Sequence, residues 1–250
     1  MGENSRGASA GARRLVRVVA GLAAAVCAVA IVPAAMADES PVGLQGSATR
    51  TYVTPGAAQG FAGTYDRAGG AREFTDRLGA PSGAGRDALV LRTPGDEDKV
   101  MFATDQVAGP LERFRSSSYY ALRDPASTAD PSLLPSFQIG VDINGGTVEP
   151  GDVWVLTFRP SGGAAGSWTR YDTGAGRYCM VQQIGGLDAY RAGCDDGEPM
   201  SLDEIIAQHP GVSVLLAGVN QGGGNGGLVS AVDLIQVGSR TFDFEREVPA

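Results

Sequence analysis

Carboxylates are the abundant reactive groups of this chain. It carries 28 Asp and Glu against 20 Lys and Arg, with one His and three Cys in 250 residues. A single histidine excludes any metal site that needs two imidazoles, and a Ser–His–acid triad would have to use His209. His209 precedes Pro210 at the end of a helical pattern, which suits a capping role, and no G-x-S-x-G accompanies it. Glycoside hydrolysis needs two carboxylates about 5–9.5 Å apart, and alternate residues of a strand share a face. Asp243, Glu245 and Glu247 have that spacing, but close to the chain end, where a solvated charged tail is the expectation.

Calcium suits exported acids better, because it takes many oxygen ligands from Asp, Asn and Gly loops. Asp142-Ile143-Asn144-Gly145-Gly146, followed by Glu149 and Asp152, has D-x-N spacing and a glycine at the turn. Gly146 stands where the full D-x-[DN]-x-[DN]-G loop places its third ligand. Asp142, Asn144, Glu149 and Asp152 are the candidate calcium ligands, with an ordinary turn as the alternative. The acidic runs Asp96-Glu97-Asp98 and Asp195-Asp196-Gly197-Glu198 read as solvated loops.

Aromatic rings hold sugars by stacking, although aromatics on strands are more often core. Trp154, Trp168 and Tyr171 are candidates, and the polar neighbours Thr169-Arg170 and Asp172-Thr173 favour exposure of Trp168 and Tyr171. Arg170 and Asp172 would hydrogen-bond sugar hydroxyls. The ligand-binding candidates are therefore Trp168, Arg170, Tyr171 and Asp172. Gly222, Gly224 and Gly227 formally match G-x-G-x-x-G, but a β-pattern follows where phosphate binding needs a helix N-terminus. The segment reads as a strand-to-strand loop whose bare backbone lets a ligand approach closely.

These groups need elements to position them. Short runs rich in β-branched and aromatic residues alternate with Gly, Pro, Asp and Asn: 88–92, 99–103, 117–122, 136–143, 153–158, 167–171, 177–181, 212–219 and 228–237. In 136–143, Phe137, Ile139, Val141 and Ile143 share one face, so that strand buries one side. Segment 153–158 is apolar on both faces and should sit centrally. Ser201-Leu202-Asp203-Glu204 is a capping box opening one short helix near 201–209. The expectation is an all-β, antiparallel, jelly-roll-like β-sandwich, built as a single domain over 61–250.

Ahead of it, residues 38–60 read as a flexible lead-in, and residues 1–37 as a secretory signal peptide. Arg13, Arg14 and Arg17 precede the apolar run Val18–Val32, and Ala35-Met36-Ala37 forms an A-x-A exit. Fifteen apolar residues are short for a membrane span, which needs about 20, so no span is expected after cleavage. Cys27 leaves with the leader. Cys179 and Cys194 remain, and an oxidising compartment makes a disulfide between them the expectation. Removal of the leader also removes Arg6, Arg13, Arg14, Arg17 and Glu3, leaving 16 basic and 27 acidic residues. Such a chain is a poor partner for nucleic acid, which needs clustered Lys and Arg.

Several segments together carry a resemblance. They are Ala88-Leu89-Val90-Leu91-Arg92-Thr93-Pro94, Asp98-Lys99-Val100, Trp168-Thr169-Arg170-Tyr171-Asp172, Ser201-Leu202-Asp203-Glu204-Ile205-Ile206, and Ala231–Val237 close to Phe242-Asp243-Phe244-Glu245. Over roughly residues 60–245 the chain resembles an exported bacterial β-sandwich module, similar in plan to jelly-roll and concanavalin-like carbohydrate-binding domains. The resemblance implies an Asp-rich calcium loop where this chain has Asp142–Gly146, and it implies that Asp233 orients a terminal strand. It transfers no catalytic residue. The functional expectation is a secreted, extracellular, non-catalytic protein that binds a polysaccharide or another cell-surface component. The alternatives are a polysaccharide hydrolase or lyase on the same scaffold, and a structural exoprotein without a small ligand.

Overall fold

The computed structural model of the chain describes residues 48–149, 151–183 and 198–249. The leader, the first part of the lead-in, Cys194 and the run Asp195–Gly197 lie outside the described residues.

The chain folds as an all-β sandwich of two sheets. The first sheet holds seven strands: β1 (Thr49–Val53), β3 (Ala71–Thr75), β4 (Ala88–Thr93), β7 (Ser118–Arg123), β10 (Thr169–Asp172), β14 (Leu228–Val237) and β15 (Arg240–Phe244). The second holds eight: β2 (Phe61–Gly63), β5 (Lys99–Thr104), β6 (Gly109–Pro110), β8 (Ser136–Asp142), β9 (Val153–Phe158), β11 (Arg177–Gln182), β12 (Met200–Ser201) and β13 (Ser213–Gly222). Its order is β12-β11-β9-β8-β13-β5-β2, with β6 also against β13. Every pairing between named strands is antiparallel except β1 with β15.

β1 corrects the expected lead-in. Thr49–Val53 pairs residue for residue with Arg240–Phe244, and Val53 is fully buried. Only one apolar residue in five points inward there, too weak a pattern to read as a strand alone.

The first sheet forks. One edge of β14 pairs with β7. Its other edge pairs with β4 over Leu228–Val232 and with β15 over Ile235–Val237. At the fork Leu234 takes a positive φ of 45°, and the ladder skips. Backbone N–H groups left without a carbonyl there would be costly when buried. Asp233 supplies the missing acceptor: its Oδ1 accepts from Leu234 N at 2.7 Å and Phe244 N at 3.0 Å.

Between the sheets lies one main core. Phe61 sits with its ring centroid 5.1–5.2 Å from those of Phe102, Phe242 and Phe244. Tyr119 packs at 5.8 Å from Phe137 and donates its hydroxyl to Pro135 O. Burial of each such ring is worth about 1.5–3 kcal/mol. Gln221 crosses this core. Its Nε2 donates to Thr93 Oγ1 and Leu228 O, and Ser230 Oγ donates to its Oε1, which ties β13 to both β4 and β14.

The helix α1 (Leu202–Gln208) starts at the expected capping box. Glu204 N donates to Ser201 Oγ, Ser201 N donates back to Glu204 Oε2, and Leu202 and Ile205 turn inward. His209 is its C-cap residue, with its N–H on Ile205 O. A 3-10 turn over Leu111–Ser116, absent from the sequence reading, buries Leu111 and Phe114.

Candidate functional site

The structure separates the residues expected to bind sugar. Trp168, Arg170 and Asp172 alternate along the outward face around β10, whereas Tyr171 points inward. Tyr171 is 8% exposed, packs 5.7 Å from Tyr119 and donates to Gly162 O. That corrects its reading as an exposed platform: the alternation of β10 places it in the core. Trp168 is half-buried against Ala88, Val90 and Ala231. Asp172 Oδ1 accepts from Ala175 N and closes a turn. Arg170 is exposed.

Three of the four expected calcium ligands come together, bound to one another. Asp142 Oδ1 accepts from Asn144 N at 3.1 Å and Gly145 N at 3.0 Å. Asn144 Nδ2 donates to Asp152 Oδ1 at 2.7 Å, while Glu149 joins through its backbone N–H to Asp152 Oδ2. The loop is thus closed by its own Asx-type bonds, as an ordinary turn would be. Among the described residues no group of three or more His, Cys, Asp or Glu side chains is gathered as a metal would require.

Asp243 and Glu245 overturn the solvated-tail reading. They are 0% and 2% exposed, because residues 83–87 fold back over the outer face of β15. Arg86 N and Asp87 N donate to Glu245 Oε2, and Arg50 Nη1 lies 3.2 Å from Asp243 Oδ2. Burial pushes the carboxyls of Asp233, Asp243 and Glu245 above the usual carboxylate range, and their mutual repulsion adds to the rise of Asp233 and Glu245. A wide recess of about 600 Å³ beside them is lined by Asp87 and Glu245. Arg246 holds Asp87 there through its Nε at 2.7 Å and its backbone N–H at 3.2 Å.

The second sheet carries a feature that strand-by-strand reading misses. Phe137, Ile139, Val219 and Leu156 face the core, so Ser136, Gln138, Asn220 and Thr157 face outward. Outward polar residues on a sheet are ordinarily solvated, yet these four are 8%, 0%, 4% and 1% exposed. They adjoin in register: Ser136 opposite Asn220, and Gln138 between Gly218 and Thr157. Gln138 Nε2 donates to Thr157 Oγ1 at 3.2 Å. Gln138 Oε1 and Asn220 Oδ1 have no hydrogen-bond partner among the described residues.

A recess of about 500 Å³ opens at the Asn220 end of this row, lined by Ser136, Thr157, Arg159, Asn220, Gly223 and Gly224. The glycine loop forms its rim. Gly226 N donates to Asp96 Oδ1 and Gly224 N to Asp96 O, so this acid of the 96–98 run anchors the rim instead of merely facing water. At Gly222, φ is +142° and a Cβ would lie 2.4 Å from Asp98 O, so the chain can turn there only without a side chain. Cys179 adjoins Thr157 across β11 and β9 and is buried. The arrangement presents amide and hydroxyl groups that both donate and accept, with one guanidinium at the edge, which suits a neutral polyhydroxylated ligand.

No family model matches the chain, and no curated protein matches it. Among solved structures, an arabinose-bound α-L-arabinofuranosidase aligns with a TM-score of 0.36 and 14% identity, over 73% of this chain and 23% of that one. The chain therefore spans under a quarter of that enzyme's length.

Proposed function

We propose that the protein is a secreted, non-catalytic β-sandwich that binds a neutral extracellular polysaccharide on the outer face of its second sheet. The observation that carries this reading is the buried polar row Ser136, Gln138, Thr157 and Asn220, with Asn220 Oδ1 unpartnered among the described residues where Asn220 lines a recess. A buried polar atom without a partner costs about 1–3 kcal/mol. A native fold tolerates several adjacent ones where a ligand completes them. At the recess, sugar hydroxyls would supply a donor to Asn220 Oδ1 and partners to the hydroxyls of Ser136 and Thr157. The basic start, apolar run and A-x-A exit of residues 13–37 support export.

Titration of the protein with soluble xylan, β-glucan and galactan tests the reading. Binding of at least one is expected, and Asn220→Ala combined with Thr157→Val should weaken it about tenfold or more, the worth of one or two hydrogen bonds. Absence of binding to all three, or an affinity unmoved by the double substitution with the melting temperature retained, would overturn it.

A further inference from the structure

A smaller recess of about 210 Å³ lies on the outer face of the first sheet. Its floor takes one side chain from each of three adjacent strands. Thr241 of β15 stands opposite Gln236 of β14, and Gln236 opposite Ser118 of β7. Arg50 of β1, opposite Thr241, closes one end. Arg170 of β10, opposite Tyr120 of β7, closes the other.

The two arginines differ. Arg50 is fixed, pairing with Asp243 and donating to Gly83 O. Arg170 has no carboxylate, carbonyl or ring partner among the described residues, and it is exposed. Most other described arginines hold acids, as Arg77 holds Asp124, Arg92 holds Glu73 and Arg177 holds Glu204, while Arg113 and Arg123 hold backbone carbonyls and Arg240 lies over the Phe242 ring. In a chain with a net charge of −8, internal acids are plentiful. A guanidinium kept clear of all of them at the mouth of a recess is placed to take an anion from outside.

The floor narrows the class. A guanidinium is a planar fork that matches a carboxylate with two parallel hydrogen bonds. Ser118 Oγ donates to Gln236 Oε1 at 3.5 Å and Gln236 Nε2 to Gly238 O at 3.2 Å, which fixes the row; the remaining lone pairs and protons of Ser118, Thr241 and Gln236 suit ring hydroxyls. Tyr120 adds an aromatic face beside Arg170, and such faces stack on pyranose rings. A bare inorganic anion would use the fork and leave the floor idle. We propose that this recess is a binding subsite for an acidic sugar, with Arg170 holding its carboxylate and the Thr241–Gln236–Ser118 row holding its hydroxyls. It is independent of the neutral-glycan reading, since the two recesses lie on different sheets.

Calorimetric titration of the protein at fixed low salt decides it, using a galacturonic acid trimer, its methyl-esterified form and inorganic phosphate. The trimer should bind, and the ester at least tenfold more weakly. Arg170→Gln should weaken the trimer about tenfold, the worth of one charge-assisted bond, and leave the melting temperature unchanged because Arg170 supports no other group. Asn220→Ala should leave trimer binding intact, so failure here and failure of the neutral-glycan reading are distinguishable. No binding of the trimer, equal binding of the ester, phosphate binding as tight as the trimer, or an Arg170→Gln protein of unchanged affinity would each overturn the proposal.

Discussion

Asp233 offers the sharpest test of how this sandwich is held. Its carboxyl is fully buried at the fork of the first sheet, where Oδ1 receives the N–H groups of Leu234 and Phe244 while Oδ2 has no partner among the described residues. Asp233→Ala orphans two buried donors at about 1–3 kcal/mol each, and relief of a buried acid offsets part of that. The net expectation is a loss of about 2–4 kcal/mol. Asp233→Asn keeps the accepting oxygen and removes the acid, so it should cost under about 1 kcal/mol. The pH dependence follows from the raised carboxyls of Asp233, Asp243 and Glu245, with Arg50 and Asp87 facing them. A carboxyl whose folded pKa is raised stabilises fully below its unfolded value, near 4, and loses that contribution as pH rises through the folded value. The wild type should therefore lose stability relative to Asp233→Asn between pH 5 and pH 8. Urea unfolding followed by tryptophan fluorescence at both pH values reads all three quantities. An Asp233→Ala protein within about 0.5 kcal/mol of wild type, or an Asn variant as damaged as the Ala variant, would refute the account of the fork.

Cys179 and Cys194 should form a disulfide in an oxidising compartment. Their separation of 15 residues makes the bond worth about 3 kcal/mol, so reduction should lower the melting temperature by about 6–12 °C without unfolding the core; two reactive thiols in the denatured, unreduced protein would disprove the bond. Ser201→Ala removes the oxygen that accepts Glu204 N and should cost about 1 kcal/mol, read as a fall of about 2–4 °C in the melting temperature.

The segments that bury alternate apolar residues were legible as strands. All nine runs picked out by composition hold a strand, including β8 with its inward Phe137, Ile139 and Val141, and β9 lies between two neighbours as its two apolar faces require. The strands that escaped are short or polar. β3 reads Ala-Arg-Glu-Phe-Thr with only Phe74 in the core, and β15 alternates Phe242 and Phe244 with Asp243. Nothing local to Asp243-Phe244-Glu245 announces burial, because the cover comes from residues 83–87, far away in sequence. The candidate groove was half legible. The glycine loop was read as a surface for close approach, and it does rim the recess. Nothing in the local pattern marks Ser136, Gln138, Asn220 and Thr157 as a buried row, since alternation tells which face a side chain occupies and not whether that face is covered. Arg170 is exposed, whereas Tyr171, whose polar neighbours suggest exposure, turns into the core.

The parallel pairing of Thr49–Val53 with Arg240–Phe244 bears on the order of assembly. A ribosome delivers the N-terminal part of a chain first, and domains condense as their parts emerge. Among the described residues the earliest strand has its only strand partner in the last, so it must wait, unzipped, until Arg240–Phe244 has been made. Contacts between residues so remote are slow to close, and an unmatched strand edge invites pairing with other chains meanwhile. β1 compensates through its sequence: Thr-Arg-Thr-Tyr-Val carries a charge and three hydroxyls in five residues, which keeps the waiting segment wet. The strand made first is thereby the latch set last.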